Sequence, residues 1–418
     1  VPNSNGQWQA IEVVSSPFNG PSNVLVGGSS PNPVVDFDVR AHRAQWLKIS
    51  GDVSRAEADI GFIITTFDGS RRMARSAPSL CDASSGRTRC AAYAWIPPEA
   101  TKARAAIWSN AAPATLSDVR LEVAQQQIEM PAARARLTAI LAEIREKYYL
   151  SKDTDWAAIE NRTGQLMVAP VGVDPIPEAI VVAREMLPGH EHAGVFRSAS
   201  RTPSAPAGES ELPSCRQVDE ATWVLNLPGT FSLTPRQLDE YIAASHTCIA
   251  SSGQQSRWII DLRANTGGNL YVMLAAMAPF LAYEQLLAFI GPSGNELPVT
   301  LTQKGVEVDG QVAYAWVGPA GALSTTPVIA WIGGSCGSSC EALTIALSDR
   351  QATVLVGQPT AGLATANESI TLNGDYDLHI TAGWMAHRNG ERAEGRIRPG
   401  VALAATDPRM LLPYFSAR

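Results

Sequence analysis

Ser338 lies in the run Trp331-Ile-Gly-Gly-Ser-Cys-Gly-Ser-Ser-Cys-Glu-Ala-Leu-Thr-Ile-Ala-Leu347. The apolar stretch Pro327–Ile332 before it reads as a buried strand, and residues from Glu341 onward keep the apolar spacing of a helix. A hydroxyl held at such a strand-to-helix turn is exposed. The free N–H groups of the helix start can hold an oxyanion there. These are the requirements of a serine nucleophile, and Ser338 is the candidate. The plainer role for the same residues is a helix cap, since Ser is a preferred N-cap and Glu341 follows three positions later.

Two further segments fall in a telling order. Upstream, Trp258-Ile-Ile-Asp-Leu-Arg-Ala-Asn-Thr-Gly-Gly-Asn269 is an apolar strand running into a polar, Gly-rich turn. Downstream come Val354-Leu-Val-Gly-Gln-Pro-Thr-Ala-Gly362 and Gly390-Glu-Arg-Ala-Glu-Gly-Arg-Ile-Arg-Pro-Gly400. Together these resemble the tail-specific (C-terminal processing) and tricorn-like serine peptidases. The resemblance covers residues 130–405, and its most specific part is Asp-Leu-Arg-Ala-Asn-Thr-Gly-Gly.

A serine hydroxyl needs a base to take its proton. One branch of that family places a Lys just after the Thr-x-Gly of the downstream strand, where this chain has Leu363. The tricorn-like branch uses a His from a segment ahead of the core. The matching stretch is Leu187-Pro-Gly-His-Glu-His-Ala-Gly-Val-Phe196, so the resemblance implies His192 as general base, with His190 second. It also implies a carboxylate near the closing hairpin that fixes the imidazole, Glu394 first and Glu391 second. A solvated hairpin side chain is the competing reading for either Glu. The oxyanion donors are expected to be the amide of Ser339 and the Gly267-Gly268 turn, where the missing side chains let backbone approach closely. Arg388, Arg392, Arg396 and Arg398 cluster around the same hairpin, and Arg396 and Arg398 are candidates to receive a peptide carboxylate by bidentate pairing. His190 and His192 alone are too few for zinc, which takes three or four protein ligands. Neither metal nor cofactor is expected.

Six cysteines fall into neighbouring pairs: Cys81 with Cys90, Cys215 with Cys248, and Cys336 with Cys340, the last bracketing Ser338. An even count and local pairing favour disulfides and an oxidising compartment. Six reduced thiols remain the alternative. The chain begins at Val1 without Met, as removal of a signal peptide or a trimmed start would leave it. The expected location is periplasmic or secreted. A formal charge of −7 with no long basic run argues against nucleic acid as partner. No apolar stretch is long enough for a transmembrane helix.

These residues must be carried by 418 residues that change character along their length. Residues 1–126 hold short β-rich runs between Pro, Gly, Ser and Asn turns and read as an accessory antiparallel sandwich. Residues 127–197 read as a small helical bundle with Leu137, Ile140, Leu141, Ile144 and Tyr148 at helical spacing. This bundle delivers the histidine segment. Ser198–Ser214 reads as a linker. Residues 198–418 then alternate strands and helices as an α/β fold does, which the resemblance makes a ClpP/crotonase-like core without a PDZ insertion. The expected activity is hydrolysis of a peptide or protein substrate through an acyl-enzyme, as an endopeptidase or C-terminal processing peptidase. A non-catalytic protein that binds hydrophobic small molecules on the same fold is the alternative.

Overall fold

The computed structural model describes residues 8–10, 24–26, 34–53, 60–82, 88–109, 114–198, 211–231, 233–252 and 256–416. Most of the expected linker, residues 199–210, lies outside them. The chain divides into two compact units, residues 1–207 with 368–380 and residues 208–367 with 381–418.

The first unit opens with the expected all-β sandwich. One sheet runs in the order Trp8–Ala10, Ala114–Ala124, Trp46–Val53, Thr88–Trp95, Leu80–Asp82. The other runs Val34–Asp38, Lys102–Ser109, Ile60–Asp68, Arg71–Arg75. In Val34–Asp38, Val35 and Phe37 are buried while Val34, Asp36 and Asp38 are exposed, the period of a strand covered on one face. Phe37, Leu47, Ile49, Phe62, Ile64, Ile107 and Val123 fill the core. Cys81 and Cys90 stand opposite one another in a hairpin and are joined by a disulfide.

Three helices follow. Helix α1 (Pro131–Lys147) starts on a proline, whose missing N–H costs nothing at a helix start. It buries Leu137, Ile140, Leu141 and Ile144. Helix α2 (Trp156–Gly164) is capped by Asp155, whose side chain accepts the Ala158 N–H. Helix α3 (Ile176–Met186) is buried along most of its length. The His190–His192 turn comes next, and Tyr148 and Tyr149 hold the chain that leads into it. The Tyr148 hydroxyl donates to the Pro188 carbonyl. That of Tyr149 donates to Gly189 O at 3.1 Å. Arg184 donates to Ala193 O at 2.9 Å and to His190 O at 3.2 Å. Residues Glu368–Ile380, which the sequence reading placed in the core, pack in this unit. Here Tyr376–His379 pairs antiparallel with Gly194–Arg197.

The second unit is built on a sheet ordered Ser214–Gln217, Thr222–Asn226, Arg257–Asp261, Val328–Ile332, Thr353–Gly357, Val401–Ala402. The first strand is antiparallel and the rest are parallel. All of Val328–Ile332 is buried, as a parallel strand covered on both faces requires. Helix α4 (Pro235–Ala250) is tied to the edge strand by the Cys215–Cys248 disulfide. Helix α5 (Leu270–Ala276) is short and gives way to a 3₁₀ turn, Ala278–Phe280. Pro279 supplies the reason, because it lacks an N–H and disfavours helical backbone at the residue before it. Helix α6 (Ser339–Ser348) leaves the end of Val328–Ile332. The polar motifs follow the carboxyl ends of these parallel strands, where ligands of open α/β sheets are bound.

One buried acid links the sandwich to α3. Glu178 is 3% exposed, and its carboxylate accepts the N–H of Ala77 at 3.0 Å and of Trp95 at 3.3 Å. Burial raises its pKa to about 8, against the pull of those two bonds. A raised acid pKa means the folded state holds a proton that the unfolded chain has lost. Stability of this unit is therefore full below the ordinary glutamate range and falls as pH rises towards about 8. Melting curves from pH 4 to 9 should show that decline, and Glu178→Gln should flatten it. An equal slope in the variant would rule Glu178 out as its source.

Candidate active site

Ser338 has φ 57° and ψ −122°, backbone that a residue with a Cβ rarely adopts and that costs about 1–3 kcal/mol. The surroundings hold it there. Cys336 and Cys340, both fully buried, are joined by a disulfide across the turn. The Ser338 N–H donates to the Glu341 carboxylate at 3.1 Å. Glu341 is itself fully buried. It also accepts the Thr360 hydroxyl at 2.6 Å, the Gly362 N–H at 2.9 Å and the Leu363 N–H at 2.7 Å. Burial pushes this carboxyl above its ordinary range, and the donors pull it back. Thr360 Oγ1 in turn accepts the Ile397 N–H at 2.8 Å, and the Thr360 N–H donates to Ile397 O at 3.1 Å. Glu341 thus does more than cap a helix: it joins the serine turn to Thr360-Ala-Gly362, and Thr360 passes the connection to the closing hairpin.

The Asp-Leu-Arg-Ala-Asn-Thr-Gly-Gly segment supplies the other wall. Asp261 accepts two bonds from the Arg263 guanidinium, at 2.9 and 2.7 Å, and that group lies 3.3 Å over the Trp331 ring. Asn265 is fully buried, donating to Leu227 O and Pro228 O and accepting the Gly267 N–H at 2.9 Å. That last bond corrects an expectation: the Gly267 amide is occupied and not free to hold an oxyanion. Gly267 instead provides clearance. With φ 103°, a Cβ there would meet Gly337 O at 2.8 Å and Ser338 Cβ at 3.1 Å. The N–H groups of Gly268 and Ser339 have no acceptor among the described residues. The Ser339 hydroxyl donates to Gly268 O at 2.6 Å, fixing the two turns to each other. Ser338, Ser339, Gly267 and Gly268 are therefore brought together. A half-buried seryl position and two free backbone donors can take up a carbonyl and stabilise its tetrahedral adduct.

The second unit offers no obvious base. Leu363 occupies the lysine position, and the unit's one lysine, Lys304, lies exposed in a hairpin. His246 bonds Ala275 O at 3.0 Å and packs edge-on against Trp316. His387 Nδ1 lies 2.6 Å from Asp349 Oδ1, a pairing that raises the His387 pKa against the effect of burial. The sequence reading had passed over this pair, because its members stand far apart in the chain. It resembles the base of a catalytic triad, yet Asp349 caps the far end of α6. Ten helical residues span roughly 15 Å, so His387 serves the opposite end of the helix from Ser338.

In the first unit, His190 and His192 are half-buried on the turn after α3. His190 Nδ1 lies 2.8 Å from Leu187 O, and Nε2 lies 3.7 Å from Glu185. Glu391, Glu394, Arg396 and Arg398 are exposed on the closing hairpin of the second unit. Glu391 uses its backbone carbonyl to accept the His387 N–H. Arg396 packs on Gly362, where an added Cβ would lie 3.1 Å from its Cγ. Among the described residues no group of three or more His, Cys, Asp or Glu is placed to hold a metal.

Residues 225–403 match the sequence model of Peptidase family S41. Nisin-resistance protein of Lactococcus lactis subsp. lactis is 24% identical over 172 residues, which is 41% of this chain and 53% of that protein. The match therefore spans about half of that relative's length. A lipoprotein structure from Streptococcus agalactiae shares the fold with TM-score 0.55 at 20% identity, over 68% of this chain and 96% of the other. The segment that matches peptidase family S41, residues 225–403, holds the serine turn, the Asp-Leu-Arg segment and the closing hairpin.

Proposed function

We propose that the chain is a serine peptidase that cleaves peptide bonds through an acyl-enzyme, as an endopeptidase or C-terminal processing peptidase, on a ClpP/crotonase-like core. The observation that carries this reading is Ser338 in its strained turn, flanked by the unoccupied Gly268 and Ser339 amides. Ser338 Oγ attacks the carbonyl carbon and His192 takes the hydroxyl proton. The two amides hold the oxyanion. Collapse expels the amine, which leaves with that proton. Water, deprotonated by His192, then attacks the acyl carbon and releases the acid and the serine. His192 is preferred because Leu363 stands where the family's lysine would be and His246 and His387 are committed elsewhere. Glu394, with Glu391 in reserve, is assigned the orienting carboxylate on the resemblance of the hairpin. Arg396 and Arg398 are assigned a terminal carboxylate of the peptide. The three disulfides support work in an oxidising, secreted or periplasmic setting.

A fluorophosphonate should label the protein at Ser338, mapped by peptide mass spectrometry. Ser338→Ala should abolish labelling, and His192→Ala should lower its rate by roughly a thousandfold or more. Absence of labelling in a folded sample would refute the hydrolase reading, and full labelling of His192→Ala would remove His192 as base.

Thr360 tests the buried connection. Thr360→Val leaves Glu341 and the Ile397 N–H each short of a partner, which should cost about 1–3 kcal/mol of stability and lower kcat more than it raises KM. Thr360→Ser, which keeps the hydroxyl, should restore most of both. Equal activity in the valine variant would show that the Glu341–Thr360 bond does not position the serine.

A further inference from the structure

We propose that the hydroxyls of Thr230 and Ser339 are positioning groups that together aim the Gly268 N–H at the developing oxyanion. This rests on Ser338 as nucleophile and on Gly268 as a donor to its adduct. A backbone N–H stabilises that charge best when it is already directed at it, with no reorientation left for the moment of reaction. Glycine is the residue least able to keep such a direction by itself. Gly267 and Gly268 adjoin, with φ 103° and 125°, so their orientation must come from partners.

The partners hold three successive peptide units. The Gly267 N–H donates to Asn265 Oδ1 at 2.9 Å. The Gly267 carbonyl accepts the Thr230 N–H, also at 2.9 Å. In a planar trans peptide the N–H points opposite to the C=O, so that bond sets the direction of the Gly268 N–H. In the next unit the Gly268 carbonyl accepts the Ser339 hydroxyl and the Asn269 N–H donates to the Thr230 hydroxyl, both at 2.6 Å. Two hydroxyls thus clamp one peptide from its two sides. From the Gly267 N–H to the Asn269 N–H, only the Gly268 N–H has no acceptor among the described residues. Thr230 and Ser339 are both buried, and Thr230 can come this close because Gly229 precedes it. A Cβ at Gly229 would lie 2.9 Å from Gly267 O. Ser339 therefore has two parts, giving one donor through its backbone and fixing the other through its side chain.

Acylation by p-nitrophenyl acetate and by its thiono analogue reads the alignment. Sulfur accepts hydrogen bonds weakly, so aligned donors favour the oxygen ester beyond the ratio measured with hydroxide ion. Thr230→Val and Ser339→Ala should each slow acylation by the oxygen ester roughly tenfold or more, with the thiono rate and KM little changed. Thr230→Ser should restore the wild-type ratio. A disturbed fold or a weakened serine lowers both rates alike, so a ratio unmoved in both variants overturns the proposal. Hydrogen–deuterium exchange at Asn269, resolved by fragmentation, tests the clamp without turnover. Exchange should quicken in Thr230→Val and in Ser339→Ala, and unchanged exchange in both overturns the proposal. Inertness of the wild type to both esters and to a fluorophosphonate is the separate failure of Ser338 as nucleophile, and the exchange result then decides the clamp by itself.

Discussion

The second unit depends on one buried carboxylate. Glu341 has no access to water, and without its donors such a group would be costly to bury. Those donors come from the serine turn and from the end of the next parallel strand. Each therefore has to be in place for the other to be satisfied. Thr360 extends the requirement to Ile397, so segments sixty residues apart are set by a single anion and a single hydroxyl. The strain at Ser338 is tolerated because this surround leaves the turn no easier arrangement.

Parts of this arrangement were legible in the chain because residue type answers to local backbone. A tight strand-to-helix turn needs Gly and Ser, and adjoining turns need Gly267 and Gly268 at positive φ. The strand cores, the α1 spacing and the cysteine pairs were readable for the same local reason. Partnerships that depend on where a side chain points, or on residues far apart in the chain, were not. That Asn265 occupies the Gly267 amide depends on where a side chain points after folding. Glu178 reads as one acid in an apolar helix, and its partners lie about a hundred positions earlier. The return of residues 368–380 to the first unit is likewise a matter of pairing, with strand Gly194–Arg197, that no local pattern announces.

The histidine segment shows how a short turn is given a fixed shape without a regular element to stabilise it. Its carbonyls are taken by two tyrosines and an arginine, each rooted in or beside a helix. Aromatic residues that would otherwise only fill space thereby define the path of the chain through residues 188–193.

The disulfides enclose very different lengths of chain, with sequence separations of 9, 33 and 4. Cross-linking stabilises a fold mainly by shrinking the unfolded ensemble, and the effect grows with the loop enclosed. By that measure Cys215–Cys248 is the bridge that matters most to global stability, and Cys336–Cys340 the least. The shortest bridge restricts little of the unfolded chain. Its influence falls instead on which native conformers residues 336–340 can visit, and so on the uniformity of the serine's environment from one molecule to the next.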